Sequence, residues 1–152
     1  MTLDLGQVDT EERRMPGQVM CDNGLQDTLL VLRNGIYLRY YVRLFQNDRE
    51  PDRSDVVAMY TEATFSGYPG AVQITAWSAP ALLTHVSTIT AALVNYAQDG
   101  GPFGNFIFGY YVTDGAGLLI CAERRTGPGL PMFSLGDVYS VKPRLSFTSD
   151  LP

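Results

Sequence analysis

The sequence predicts an all-β protein: an antiparallel β-sandwich of about seven or eight strands, with a jelly roll as one variant and one short N-terminal helix. The first observation is the run of residues 35–45, in which side chains alternate as on a strand packed on one face. The second is the number of turn formers, 15 glycines and 9 prolines among 152 residues. The third is a charged fraction of only 18%, below the roughly 25% of globular proteins.

The length fits one domain, preceded by an arm. Residues 1–20 are polar and show neither the strand nor the helix period, so we expect an extended N-terminal arm there. Residues 21–152 are predicted to form a single sandwich domain, since domains cluster at roughly 100 to 150 residues. The helix is predicted at the start of this domain. Its leucines recur at helical spacing between a cap at Asp22 or Asn23 and the stop signal Asn34-Gly35.

The remaining elements are strands and turns. Alternating or β-branched runs bounded by Gly and Pro predict strands, with the segment 56–65 either a strand or an irregular piece. Asp114 to Gly117 is the strongest hairpin signal. Pro143 predicts an edge or a bulge in the last strand, because proline cannot donate to a ladder. Besides residues 35–45, the predicted strands are 71–77, 86–96, 106–113, 118–123 and 137–148.

One face of the strand at 35–45 is rich in arginine and tyrosine. Ile36, Leu38, Tyr40, Val42 and Leu44 form the apolar row, and the other row ends in Phe45. Arginine and aromatic side chains are enriched at the centres of protein interfaces, although the second face of a sheet can also be simply packed or solvated. The candidate partner-contact residues are Tyr37, Arg39, Tyr41, Arg43 and Trp77.

Four patterns resemble reactive sites without meeting their requirements. Asp48, Glu50 and Asp52 alternate as in a calcium loop, but the positions that need Gly and Glu are Arg53 and Met59. His85 is the only histidine, and no hydrolase or metalloprotease motif surrounds it.

The other two are weaker still. Glu62 and Glu123 would form an acid–base pair only if folding brought them together. The glycines of 100–104 and 115–117 lack the lysine and helix of a phosphate loop. We therefore predict no catalytic, metal or cofactor site and no enzyme.

Charge and cysteine content exclude further classes. A net charge of -5 and a pI near 4.7 argue against general nucleic-acid binding. The two cysteines, Cys21 and Cys121, are expected to be reduced structural thiols. No apolar run approaches the roughly 18 residues of a membrane helix, and the opening residues lack a signal-peptide pattern, so we expect no membrane association and synthesis in a cytoplasm.

Several short segments between residues 25 and 148 share a pattern of strand and turn residues with a known group. They are 35–39, 47–51, 60–68, 77–81, 109–114, Glu123, 135–137 and 141–143. In this pattern the chain resembles small β-sandwich proteins encoded among the structural genes of tailed bacteriophages. The resemblance implies a virion component that carries no catalytic residue. We therefore expect a capsid decoration or cement protein, made in the host bacterial cytoplasm, that binds other virion subunits and forms homo-oligomers.

Two alternatives remain at this point. Within the same class, the protein would be a tail or baseplate component. In a different class, it would be a carbohydrate-binding adhesin module that uses Trp77 and exposed tyrosines as a stacking platform.

Overall fold

The computed structural model describes residues 18–20, 39–78, 81–83 and 86–148. These residues form twelve short strands and one 3₁₀ helix, Val57–Met59. All strand pairs are antiparallel, which confirms the predicted class. The helix predicted near residues 23–34 lies outside the described residues. The strands are β1 Gln18–Met20, β2 Tyr40–Phe45, β3 Val72–Ile74, β4 Ala81–Leu83, β5 Val86–Thr90, β6 Val94–Ala97, β7 Asn105–Ile107, β8 Gly109–Thr113, β9 Leu119–Arg124, β10 Leu130–Met132, β11 Val138–Val141 and β12 Arg144–Thr148.

The described strands make one large sheet and three small ones. The large sheet has five strands in the order β1-β9-β8-β2-β3. The others pair β10 with β7, β11 with β6, and β12 with β5 and β4. In the described part of the chain, no helix reaches the length and apolarity that a membrane crossing requires.

The β8–β9 hairpin is confirmed. Asp114 closes its turn, since Oδ1 accepts hydrogen bonds from the backbone N–H groups of Ala116 at 2.9 Å and Leu118 at 2.8 Å. Gly117 takes the left-handed conformation that the turn needs, with φ near 87°. A register shift follows at Val112/Thr113 and lets Ile120 and Cys121 both pack into the same core.

The strand count exceeds the prediction because long alternating runs are interrupted. The predicted strands 86–96 and 137–148 pair with each other, but both are interrupted at facing positions. At the interruption the N–H of Ala91 donates to the carbonyl of Pro143 at 2.7 Å. Three residues, 91–93, there oppose two, 142–143. Pro143 lacks the N–H group that a continuous ladder would use, so the predicted irregularity at Pro143 is an interruption between β11 and β12.

The predicted strand 106–113 also divides, because it changes partners. β7 pairs with β10, whereas β8 pairs with β2 and β9. Between them the N–H of Phe108 donates to Phe45 O at 3.0 Å, and Phe108 O accepts from the N–H of Arg125 at 2.8 Å. A Cβ on Gly109 would collide with the Glu123 carbonyl and the Phe45 ring, so this crossing needs glycine.

The last residues of the predicted N-terminal arm form a strand of the large sheet. Gln18–Met20 forms β1 and pairs with β9, with Val19 opposite Ala122. These last three residues of the segment 1–20 therefore belong to the large sheet. The sequence pattern did not indicate this strand, because backbone hydrogen bonds between strands form without an apolar period in the side chains. Residues 1–17 lie outside the described part of the chain.

Two apolar clusters hold the described strands together. The main core receives side chains from all four sheets. The outer cluster lies on the opposite face of the large sheet and consists of Phe45, Tyr60, Tyr111, Leu119 and Ala122. Members of the main core include Val42, Leu44, Ile74, Tyr96, Ile107, Val112, Ile120, Cys121, Met132, Val141 and Leu145.

Candidate interaction surface

The residues of the predicted arginine and tyrosine row differ in how exposed they are. Arg39 is exposed just before β2, Tyr41 and Arg43 are half-buried, and Phe45 is fully buried. Tyr37 lies outside the described residues. At Phe45 this face is packed and not open, because the segment after β2 folds back over it.

Residues 47–61 cover the end of this face. Tyr60 packs edge-on against Phe45, with ring centroids 5.1 Å apart, and stacks on Tyr111 at 5.4 Å. Arg124, from the end of β9, holds the same segment from the other side through an ion pair with Asp48 at 2.6 Å. Phe45 and Tyr111, two aromatic residues of this face, are thus packed against Tyr60 of the same chain.

A buried carboxylate organises this covering segment. Asp55 Oδ2 accepts hydrogen bonds from Tyr60 Oη at 2.5 Å, from Arg49 Nε at 3.0 Å and from the N–H of Asp52 at 3.1 Å. Arg49 also pairs with Oδ1 of Asp55. The hydrogen bond from Arg49 holds the pKa of Asp55 below its usual value against the opposing effect of burial. Asp55 is therefore an ionised, fully engaged structural group.

Arg43 is engaged in a second network. Its Nη1 donates to Glu62 Oε2 at 2.8 Å, and Tyr68 Oη donates to Glu62 Oε1 at 3.1 Å. The N–H of Leu44 donates to the same Tyr68 oxygen at 3.0 Å. Burial raises the pKa of Tyr68 far above its usual value, so this hydroxyl stays protonated. Arg43 therefore links β2 to Glu62, which follows the 3₁₀ helix, while its side chain stays partly exposed.

Trp77 lies on the other face of the large sheet. It packs edge-on against Tyr40, with ring centroids 6.0 Å apart, at the border of the main core. Tyr40 and Tyr41 point to opposite faces because they are neighbours on β2. Trp77 therefore does not share a face with Tyr41 and Arg43, and contact of these residues with a partner stays a prediction.

The described carboxylates of the patterns that resembled reactive sites form ion pairs and hydrogen bonds within the protein. Asp48 and Glu50 both face Arg124, the latter at 3.9 Å, and Asp52 accepts hydrogen bonds from Ser54. The described residues contain no group of three or more His, Cys, Asp or Glu side chains arranged to hold a metal ion. Glu62 and Glu123 have separate partners, since Glu123 accepts from Tyr110 Oη at 2.7 Å. His85 lies outside the described residues.

The structure exposes an apolar surface that the strand pattern did not predict. Phe106 on β7 and Phe133 after β10 are 51% and 49% exposed and meet edge to face, with ring centroids 5.1 Å apart. Gly104 makes room for the pair, because a Cβ there would collide with the Phe133 ring. We call Phe103, Phe106, Phe133 and Leu135 the phenylalanine patch.

Two joined loops extend this patch. Phe103 is 69% and Leu135 76% exposed. The loop at 98–104 is bonded to the loop at 133–137 through Gln98, whose N–H donates to Asp137 O at 2.9 Å. For Phe103, Phe133 and Leu135 a signal existed in the sequence, namely large apolar residues near glycine and proline outside the predicted strands. Phe106 gave no such signal, because it begins the predicted strand 106–113.

Comparison with protein-family models, with curated proteins and with solved structures finds no match to this chain.

Proposed function

We propose that the chain is a structural protein of a bacteriophage virion and acts as a capsid decoration protein that binds other virion subunits. The single observation in the structure that supports this function is the phenylalanine patch, since exposed clusters of large apolar side chains typically mark protein interfaces. The sequence pattern shared with tailed-phage structural proteins supports the particular class. Aromatic anchors are also the side chains that contribute most to binding at interface centres.

The finer architecture belongs to the same proposal. The five-stranded sheet would form one layer of a β-sandwich and the three smaller sheets the other, an arrangement supported by the side chains that all four sheets contribute to the main core. Edge strands such as β3 and β10 have open hydrogen-bonding edges among the described strands, which supports self-association of the decoration protein.

The location in the particle is tested with virions assembled with the gene intact and with the gene deleted. We expect the difference between the two electron cryomicroscopy maps to show the protein on the capsid shell. Difference density at the tail would favour the tail or baseplate alternative. Intact particles that contain no copy of the chain would contradict the virion proposal.

The role of the phenylalanine patch is tested by adding purified protein back to the gene-deleted particles. The double variant Phe106→Ser with Phe133→Ser is expected to lose roughly 100-fold in affinity, because two aromatic anchors are removed from the interface. Leu118→Ser is the matched control, since Leu118 is 47% exposed but lies in the β8–β9 turn. Equal binding by the double variant and the control would contradict the use of this patch.

A further inference from the structure

A cleft of about 280 Å³ opens between the large sheet and the interruption of β11 and β12. Tyr110 and Glu123 enter it from paired positions on β8 and β9. The other wall comes from the end of β11 and the start of β12. The charged and aromatic side chains of its lining are Tyr110, Glu123, Arg125, Tyr139, Lys142 and Arg144.

The interruption at Pro143 creates one wall of this cleft. Val141 and Pro143 are buried in the protein, so Lys142 between them is directed outward and is exposed. β11 ends on β6 and β12 begins on β5, and the gap between these two pairings carries Lys142 next to Arg144. A continuous strand would present these two side chains on a flat sheet face instead.

The cleft is positively charged in an acidic protein. Among the described residues, Arg125, Lys142 and Arg144 line it together with one carboxylate, Glu123. The whole chain carries 11 Lys and Arg against 16 Asp and Glu, and Lys142 is its only lysine. The local excess of positive charge therefore opposes the charge of the rest of the protein and favours an anionic group in the cleft.

Glu123 adds an acceptor to this cationic site. Its Oε2 accepts a hydrogen bond from Tyr110 Oη at 2.7 Å. Burial raises the pKa of Tyr110 well above its usual value, which keeps this hydroxyl protonated and donating. An ionised carboxylate has several acceptor positions, so Glu123 can accept further hydrogen bonds from a ligand. A carboxylate ion such as acetate offers no such donor, whereas a ligand with hydroxyl groups does.

Tyr139 completes the site as an aromatic side chain. It is half-buried, and its pKa is raised mainly by burial, with Arg125 lowering and Glu123 raising it. Tyr139 lines the cleft together with Arg125 and Glu123. Pockets that bind small molecules commonly combine an aromatic wall with a few polar groups.

We propose that this cleft binds a monosaccharide that carries a carboxylate, such as a uronic acid. The three cations bind the carboxylate, and Glu123 accepts hydrogen bonds from the sugar hydroxyls. The volume supports a ligand of this size, because it lies just below the roughly 300 to 1,000 Å³ of pockets for drug-sized molecules. This binding is separate from the proposed attachment through the phenylalanine patch, so either can fail without the other.

Titration calorimetry on the full chain tests the ligand class. D-Glucuronate is the probe, with D-glucose as the neutral sugar and acetate and inorganic phosphate as anions without sugar hydroxyls. We expect glucuronate to bind at least tenfold more tightly than each of the other three. Equal affinity for glucose would overturn the role of the cations, and equal affinity for acetate would overturn the role of Glu123. Equal affinity for phosphate would overturn the sugar as the ligand class. No heat of binding with glucuronate would overturn the site.

Three variants test the residues. Lys142→Met and Glu123→Gln should each weaken glucuronate binding at least tenfold, since each removes a charged hydrogen-bonding partner. Arg39→Met is the matched control, because it removes one exposed positive charge outside the cleft. Lys142 is exposed, so its variant is expected to keep the wild-type thermal unfolding transition. A cleft variant that binds glucuronate as tightly as Arg39→Met would contradict the proposal.

Discussion

The five-stranded sheet is covered differently on its two faces. On the inner face, apolar side chains such as Val42 and Leu44 pack against side chains of the smaller sheets. On the outer face, in the described part of the chain, residues 47–61 cover Phe45 and Tyr111 and carry the buried carboxylate of Asp55. The inner cover is built from strands. The outer cover is a loop with one 3₁₀ turn, organised around the buried Asp55 and tied to β9 by the ion pair of Asp48 with Arg124.

This difference has an energetic basis. Burying an aliphatic side chain such as Leu44 contributes roughly 1.5 to 3 kcal/mol without any specific partner. Burying a carboxylate is unfavourable unless hydrogen bonds and a counter-charge compensate for lost hydration. Asp55 has both, from Tyr60 and Arg49. The inner face therefore tolerates similar apolar residues, whereas the outer cover requires particular groups at particular places.

The largest expected effect is on the inner face. Leu44→Ala should lower the free energy of unfolding by about 3 kcal/mol, because Leu44 is fully buried and its removal leaves a cavity. Chemical denaturation followed by tryptophan fluorescence measures this change, since the single tryptophan, Trp77, borders the main core. Leu93→Ala is the control, because Leu93 is 56% exposed. Equal losses in the two variants would contradict the assignment of Leu44 to the main core.

A smaller effect is expected on the outer cover. Asp55→Asn should lower the free energy of unfolding by about 2 kcal/mol at pH 7, because Arg49 and Tyr60 lose a charged acceptor. The change should also alter the pH dependence. The folded state lowers the pKa of Asp55, so its stabilising contribution is complete above the unfolded pKa of about 4 and is lost as pH falls through the folded value.

Denaturation of the wild type and Asp55→Asn at pH 7 and at pH 3 measures this dependence. The difference in stability between the two proteins should be larger at pH 7 than at pH 3. Asp48→Asn is the control, because Asp48 forms its ion pair on the surface, where such pairs contribute little. A difference that is independent of pH would show that the carboxylate charge of Asp55 does not hold the cover.

The smallest effect is expected for a single hydroxyl. Tyr60→Phe should cost about 1 kcal/mol, because it removes the hydrogen bond to Asp55 but keeps the ring contacts with Phe45 and Tyr111. The same denaturation assay measures it. A loss as large as that of Asp55→Asn would mean that Tyr60, and not Arg49, is the main partner of the carboxylate.

The strand pattern predicted the inner face better than the outer one. The apolar row of residues 35–45 was assigned to the packed face, and the structure buries Val42 and Leu44 in the main core, with Tyr40 half-buried against it. The alternating row around Arg43 was interpreted either as a partner surface or as a packed or solvated face of the sheet. It ends under residues 47–61, which the sequence presented only as a charged connecting loop containing Pro51.

The candidate sites were predicted less well than the fold. Trp77 and Arg43 lie on different faces of the sheet, because the bridge from Trp77 to Ala91 and its contact with Tyr40 place it beside the main core. The phenylalanine patch and the cationic cleft were both missed. Each is assembled from segments distant in the chain, as when Glu123 of β9 and Lys142 between β11 and β12 line the same cleft. No local pattern encodes such a meeting.

The sequence alone determined the antiparallel all-β class, the β8–β9 hairpin and the inward face of β2. Each of these depends on local rules, namely the period of two residues along a strand and the backbone freedom of Gly117 in a turn. The tertiary structure decided where long strands divide, which charged side chains are buried, and which residues form the patch and the cleft. The reason is physical: division at Pro143 depends on the facing strand, and burial of Asp55 depends on Arg49 and Tyr60 reaching it from their own positions in the folded chain.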